Sequence, residues 1–373
     1  MKIHYHSGAT LPSSAAKAVH VMKMCRALAA QGHDVTLFGK GSKAVPDTDV
    51  FKRYGVDENF LLKRAGNLTV PGVSGLWRIW QNRQKVMRTG QPDLAYGRDP
   101  LGLLFSTKTD TPVIYEAHQI PAMRSHKWAL RKLMQRPGFS GLVAISAALK
   151  QDLLHEYPQL KPDQILVAHD GADCPASRSD PSDIGGRANV PRIGYTGSLH
   201  PGKGAEIMCE MAKQMPHIDV HICGGTEGQI AELKNAYEQK NLYFHGHVDH
   251  GDLPGYLTAF DVVCAPYQRE VRIKSGADIS RWISPMKLFE YMAAQKPIIC
   301  SDLPVIREIL TSDANAVLVA PDDIRGWCAA ADELISKPDY AQKLARKGYE
   351  DLESLYTWDK RAQSILAFAS QNL

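Results

Sequence analysis

Three stretches of the chain carry side chains able to hold a phosphorylated, hydroxyl-rich ligand. The first is Ser284-Pro-Met286-Lys287-Leu288-Phe-Glu290-Tyr-Met-Ala293, followed by Ala-Gln-Lys296-Pro297 and an apolar run. Its spacing predicts a short helix, with Ser284 as N-cap and Pro285 in the first turn, then a break at Lys296-Pro297 and a buried strand. Backbone N–H groups and the Lys287 ammonium at such a helix start suit phosphate, and the Glu290 carboxylate suits sugar hydroxyls. Taken alone, Glu290 fits equally well as an acid placed by the helix dipole. The second stretch, Gly197-Ser198-Leu-His-Pro-Gly202-Lys203-Gly204, joins a predicted strand to a predicted helix and offers a phosphate cradle. It has the glycine–lysine spacing of a P-loop, but Gly204 stands where that motif needs Ser or Thr, so that reading is excluded. The third is His118, directly after the apolar run Val113-Ile-Tyr-Glu-Ala117, where open α/β sheets present ligand contacts.

Around these stretches, strand-like and helix-like patterns alternate. Residues 2–7, a helix over about 15–31 capped by Ser13 or Ser14 and closed by Gly32, and a strand over His33–Phe38 form one βαβ unit. The loop after the first strand holds Gly8 and Thr10. Arg98 follows a second short strand, where a ligand contact and a structural ion pair both fit. A second βαβ series starts at Arg192. His247 and Val248 lie in the loop after the 242–246 strand. The nearby His245, His250, Asp249 and Asp252 match no metal-ligand spacing, and no metal site is expected there. Residues 268–283, with Arg269, Arg272, Lys274 and Asp278, read as a polar cover loop.

The ordered series resembles the retaining GT-B glycosyltransferases, in particular glycosyltransferase family 4. The resemblance rests on Gly-His33-Asp-Val at the end of the first unit, Leu142-Val-Ala-Ile-Ser146 with Lys150, Asp170-Gly-Ala-Asp173, the Gly197…Lys203-Gly204 loop, the Glu290 helix and Tyr356-Thr-Trp358-Asp-Lys-Arg361 near the end. It implies two Rossmann-like domains facing each other across a cleft: an acceptor-side domain over 1–172, a linker over 173–190, a donor domain over 191–356 and a terminal helix over 357–373 packing back on the first domain. It also implies sugar transfer from a nucleotide-diphosphate donor to an acceptor hydroxyl, with retention and with no cofactor or metal required. On the same basis Gly197, Ser198, Lys203, Gly204, His247, Val248, Ser284, Met286, Lys287, Leu288 and Glu290 are expected at the donor. His118 is expected at the sugar, and Gly8, Thr10 and Arg98 on the acceptor side. The family's further glutamate, eight residues before Glu290, is replaced by Trp282, and its usual arginine by Ser198. A GT-B epimerase and a non-catalytic nucleotide-sugar-binding partner are the alternatives.

Composition limits the setting. The chain has 373 residues, 44% hydrophobic and 23% charged, which suits a globular protein of two domains. Seven dispersed cysteines without a CxxC pair fit reduced thiols and a cytoplasmic location. The net charge of +4 is uneven: residues 1–172 carry 23 Lys+Arg against 13 Asp+Glu. The tracts 59–92 and 117–151 contain no acid and include Trp77, Trp80, Met87, Met123, Trp128 and Met134. Ordinary solvated helix faces and a docking surface for anionic lipid or a polyanionic acceptor both fit them, and the resemblance implies a glycan or lipid-linked glycan as acceptor. No nucleic-acid-binding module accompanies the charge.

Overall fold

A computed structural model describes residues 1–42, 44–66, 83, 84, 86, 88–175, 179–272 and 278–371. Trp77, Trp80, Met87 and Lys274 lie outside them. The chain divides into two compact units, residues 1–169 with 358–373, and residues 170–357.

The first unit alternates strands and helices in chain order: β1 (Lys2–Thr10), α1 (Ala16–Ala30), β2 (Asp34–Lys40), α2 (Asp47–Tyr54), β3 (Leu61–Ala65), β4 (Leu94–Gly97), α3 (Pro100–Ser106), β5 (Val113–Ala117), α4 (Arg124–Met134), β6 (Phe139–Ala144), α5 (Ala147–Glu156) and β7 (Ile165–Val167). The strands form one parallel sheet in the order β3-β2-β1-β4-β5-β6-β7. Both faces are covered, so β5 is buried at every position. The order reverses direction between β1 and β4, and the carboxyl ends of strands beside such a switch point are where this architecture binds ligands. β1 runs through Gly8 to Thr10, further than the residue pattern predicts, after a register shift between His6 and Thr10. The capping expected of Ser13 or Ser14 does not occur. The first turn of α1 has Ala15 at its N-cap, and the Ser13 N–H donates to the Tyr54 hydroxyl.

The second unit repeats the plan with β8 (Arg192–Thr196), α6 (Ala205–Gln214), β9 (Asp219–Cys223), α7 (Glu227–Ala236), β10 (Leu242–Gly246), α8 (Leu253–Ala259), β11 (Val262–Ala265), α9 (Met286–Ala293), β12 (Ile298–Ser301), β13 (Val317–Val319), α10 (Ile324–Ser336) and α11 (Pro338–Asp351). Its parallel sheet runs β10-β9-β8-β11-β12-β13, with the switch point between β8 and β11. Leu288, Phe289, Tyr291 and Met292 of α9 are buried against β11 and β12. Residues 179–190 pack on this unit: Ile184 is buried, and the Arg187 guanidinium donates to the buried Asp219 at 2.8 Å.

The chain ends in α12 (Trp358–Gln371), which returns to the first unit as the resemblance implies. Trp358, Ala362, Ile365, Phe368 and Ala369 form its buried stripe at helical spacing, and α1 is its main neighbour. Arg26 of α1 donates to Asp359 at 3.0 Å.

Candidate functional site

In the second unit the cationic residues of two separate loops meet. β8 delivers the chain to Gly197, whose φ of +136° only glycine adopts readily. A Cβ at this position would lie 2.9 Å from the Lys287 Nζ, so the glycine also makes room for the lysine. The loop closes at Gly204, at φ +83°, where a Cβ would strike the Pro266 carbonyl oxygen at 1.8 Å. Lys287, in the first turn of α9, therefore lies under the glycine loop that carries Ser198 and Lys203. Its Nζ sits 3.8 Å from the centre of the Tyr195 ring and 5.1 Å from that of Tyr267. The Lys203 Nζ lies 4.9 Å from the same Tyr267 ring.

The electrostatics of this pair are unusual for a resting protein. Lys287 is buried, and its Nζ has no hydrogen-bond partner among the described residues. Burial drives its ammonium well below the usual lysine value, Lys203 adds repulsion and Glu290 opposes both. Burial likewise lowers Lys203, to about 8, although part of its side chain reaches the surface. Cation–π contact with two tyrosines offsets only part of the desolvation. A doubly charged anion in the loop would restore the missing hydrogen bonds and raise both pKa values.

The remaining donor-side residues surround this pair or lie farther along the same edge. Ser198 is exposed, and its carbonyl accepts from the Tyr195 hydroxyl at 2.7 Å. Glu290, one turn beyond Lys287, has its carboxylate 3.5 Å from His250. His247 is exposed and pairs with Asp249 at 3.3 Å, while Val248 packs on the core beneath α9. Met286 begins the helix and Leu288 is fully buried beneath it. Ser284 does not cap the helix as its spacing predicts, because its Oγ accepts from the Asp170 N–H at 2.8 Å. Trp282 ends a short turn just before the helix and is partly buried.

In the first unit Gly8 and Thr10 end β1, Arg98 follows β4 and His118 follows β5. All four thus lie at the carboxyl ends of three adjacent strands. The Arg98 N–H donates to the His6 carbonyl. His118 belongs to a cluster that its sequence position alone does not reveal. Its Nε2 lies 2.7 Å from Oε1 of Glu116, a fully buried carboxylate. The same oxygen is 2.6 Å from His20 Nε2 and 3.0 Å from Arg361 Nη2. The other oxygen accepts from the hydroxyls of Tyr5, at 3.1 Å, and Tyr96. Burial raises the Glu116 carboxyl, but Arg361, His20 and His118 outweigh it and hold it well below the usual carboxylate range.

Among the described residues, the ligand atoms of His20, Glu116 and His118 come within 4.8 Å of one another, close enough for a metal ion. The Arg361 guanidinium already occupies the cationic position on this carboxylate, so the group is better described as an ion-paired hub.

With this geometry in place, sequence and structure comparisons agree. Residues 190–337 match the family model Glycosyl transferases group 1, and residues 18–175 match Glycosyltransferase Family 4. The chain belongs to glycosyltransferase family 4. Glycogen synthase from Mycobacterium tuberculosis is 23% identical to this family-4 chain over 382 residues, covering 91% of this chain and 87% of that protein. Anabaena HepE, in complex with UDP-glucose, superposes with a TM-score of 0.75 at 15% identity over 100% of both chains. The lipopolysaccharide outer core galactosyltransferase WaaB, in its apo form, gives 0.66 at 14% identity over 100% of both chains. The fold is GT-B, and the enzyme is a retaining transferase of class EC 2.4 that uses nucleotide sugars.

Sequence patterns miss five residues that shape these clusters: Glu116, His20 and Arg361 in the first unit, Tyr195 and Tyr267 in the second. Glu116 and Tyr195 sit inside apolar strands, where they read as core. The one usable signal was a carboxylate in an otherwise apolar strand, which burial makes costly unless it is paired.

Proposed function

We propose that this family-4 enzyme transfers a sugar from a UDP-sugar to a hydroxyl of a glycan or lipid-linked glycan, in cell-surface polysaccharide or glycolipid biosynthesis. The observation that carries the reading is the buried Lys287 Nζ, without a hydrogen-bond partner among the described residues, beside Lys203 and beneath the glycine loop. A nucleoside diphosphate leaving group develops negative charge as the glycosidic bond breaks, and two preplaced ammonium groups stabilise that charge. Glu290 takes the nucleotide's sugar hydroxyls, and His118 contacts the donor sugar. Gly8, Thr10 and Arg98 lie on the acceptor side. The choice of UDP is supported by the UDP-glucose complex of HepE, and the acceptor class by the names of glycogen synthase and WaaB.

Calorimetric titration with UDP, GDP and ADP, followed by a UDP-sugar panel with and without lipid-linked acceptors, tests the proposal. Preference for UDP and a new glycosidic product support it. Preference for another base, or isomerised donor without transfer, overturns it.

The enzyme works, on the same reading, in the cytoplasm against the inner face of a membrane. Among the described residues no helix is long and apolar enough to cross one. Instead α4 presents exposed Met123 and Trp128, with Phe105 stacked on the tryptophan at 6.1 Å, amid exposed Arg124, Arg131 and Lys132. Apolar tips within a basic rim suit anionic headgroups, each basic residue contributing on the order of 1 kcal/mol. Co-sedimentation with anionic vesicles at low salt should be lost when Arg124, Arg131 and Lys132 are changed to glutamate. Wild-type protein that ignores such vesicles removes this part of the proposal.

A further inference from the structure

The switch point of the second sheet is closed by a side chain, not by the strand ladder. β8 and β11 pair at Ile193 with Val262 and at Gly194 with Val263, and no pair follows among the described residues. Beyond that point the two strands part, which opens a crevice at their carboxyl ends. Successive residues of a strand turn their backbone groups to opposite neighbours. The Gly197 N–H donates to the Cys223 carbonyl of β9, and the Val263 N–H to the Pro297 carbonyl just ahead of β12. Thr196 and Cys264 therefore direct their backbone groups into the widening gap between β8 and β11.

Tyr291 of α9 fills that gap. It is fully buried, and its hydroxyl accepts from the Thr196 N–H at 2.9 Å and from the Thr196 hydroxyl at 3.2 Å. The same hydroxyl donates to the Cys264 carbonyl at 3.3 Å. Burial holds its pKa well above the usual tyrosine value, so it stays a neutral phenol that donates and accepts at once. One oxygen thus serves backbone groups of two diverging strands and ties both to one helix. Lys287 lies four residues earlier, so the two side chains leave α9 on the same face. Tyr291 meets the end of β8 at Thr196, and Lys287 meets the next residue, Gly197. The Lys287 ammonium also pulls down on the thiols of Cys264 and Cys300, which burial pushes up.

We infer that Tyr291 is the positioning residue of the phosphate cradle: its hydroxyl fixes α9 against the ends of β8 and β11 and occupies the Cys264 carbonyl, so that the Lys287 ammonium stays beneath Gly197 with its hydrogen bonds left for a diphosphate. The inference deepens the donor site proposed above and rests on a diphosphate binding there. Without the hydroxyl, α9 loses its tie to both strands, and the Thr196 N–H and the Cys264 carbonyl lose a buried partner. The lysine, a donor without a hydrogen-bond partner among the described residues, then turns toward the freed carbonyl and away from the ligand.

The test is a double-mutant cycle of Tyr291→Phe and Lys287→Met in the full-length protein, read by calorimetric titration with UDP and with inorganic pyrophosphate. Introduced into wild type, Tyr291→Phe should weaken both ligands roughly tenfold. Introduced into Lys287→Met, it should change affinity less than about twofold, because the lysine it positions is gone. A tyrosine that serves stability alone would lower the melting temperature and leave affinity unchanged, or lower affinity equally in both backgrounds. Either result overturns the inference. Thr196→Val removes only the bond between the two hydroxyls and replaces Tyr291→Phe if that variant fails to fold. A loss of roughly threefold, confined to protein that retains Lys287, is then expected, and an equal change in both backgrounds overturns the inference. Wild-type protein that binds pyrophosphate through Lys287 but UDP no more tightly removes the UDP-sugar reading and leaves the positioning role standing. Wild-type protein that binds neither overturns both.

Discussion

The two units of this transferase treat buried charge in opposite ways. In the first, Glu116 is fully enclosed, with His20, His118 and Arg361 on one oxygen and two tyrosine hydroxyls on the other. In the second, Lys287 is buried against tyrosine rings with no hydrogen-bond partner among the described residues, and Lys203 repels it. A satisfied buried ion contributes to the fold, and removing its counter-ion is costly. An unsatisfied one opposes the fold, and only a ligand of opposite charge recovers the cost. The first arrangement is a scaffold for a histidine, and the second is poised for an anion.

Removing one cation from each site should therefore change stability in opposite directions. Arg361→Met leaves the Glu116 carboxylate uncompensated and should cost about 3–5 kcal/mol in chemical denaturation. Acid should sharpen this result. The folded Glu116 pKa lies below its unfolded value, so its contribution is present above about pH 4 and is lost as pH falls through the folded pKa. The variant should lose less stability on acidification than wild type. If the two proteins have the same stability and the same acid slope, the hub is not the scaffold described here.

Lys287→Met provides the opposite case. Thermal stability should be unchanged or raised, because a desolvated cation is replaced by an apolar side chain of similar length. Nucleoside diphosphate binding should weaken by about 1.5–3 kcal/mol, the loss of one charge-assisted contact, measured by calorimetry. A destabilised protein with normal affinity would place Lys287 with Arg361 as a structural cation.

The pH dependence of binding is a smaller effect with a definite sign. Lys203 has its pKa lowered to about 8, and a bound diphosphate raises it again. Binding above pH 8 should therefore take up a proton, and affinity should fall by up to roughly tenfold per pH unit until the bound-state pKa is passed. Calorimetry in buffers of different ionisation enthalpy reads the uptake directly. No proton uptake in wild type, or the same uptake in Lys203→Met, would contradict the assignment.

The smallest expected change is Tyr5→Phe. It removes one neutral donor from Glu116 and leaves the Arg361 ion pair and the contacts from His20, His118 and Tyr96 in place. A loss of about 1 kcal/mol in stability is expected, measured by chemical denaturation. A loss as large as that of Arg361→Met would mean that the hydroxyls, not the guanidinium, hold the carboxylate.

What could be read from the sequence was what local chemistry specifies. The alternation of apolar runs with helical periods predicted two parallel α/β units, the ordered motifs identified the family, and that resemblance implied a terminal helix packing back on the first unit. The glycines at 197 and 204 were legible because a backbone conformation open to few other residues leaves a mark on residue type. The sequence could not show which groups share a charge. Ser284 has the spacing of an N-cap, yet its hydroxyl is taken by the Asp170 N–H, 114 residues away. Glu116 reads as part of a strand until Arg361, 245 residues later, pairs with it. Lys203 and Lys287 each have a motif, but only the folded chain brings both to the Tyr267 ring. Backbone conformation depends on near neighbours and is written in short patterns. Electrostatic pairing in a low-dielectric interior depends on whatever groups tertiary packing brings within a few ångströms, and that was decided only by the tertiary structure.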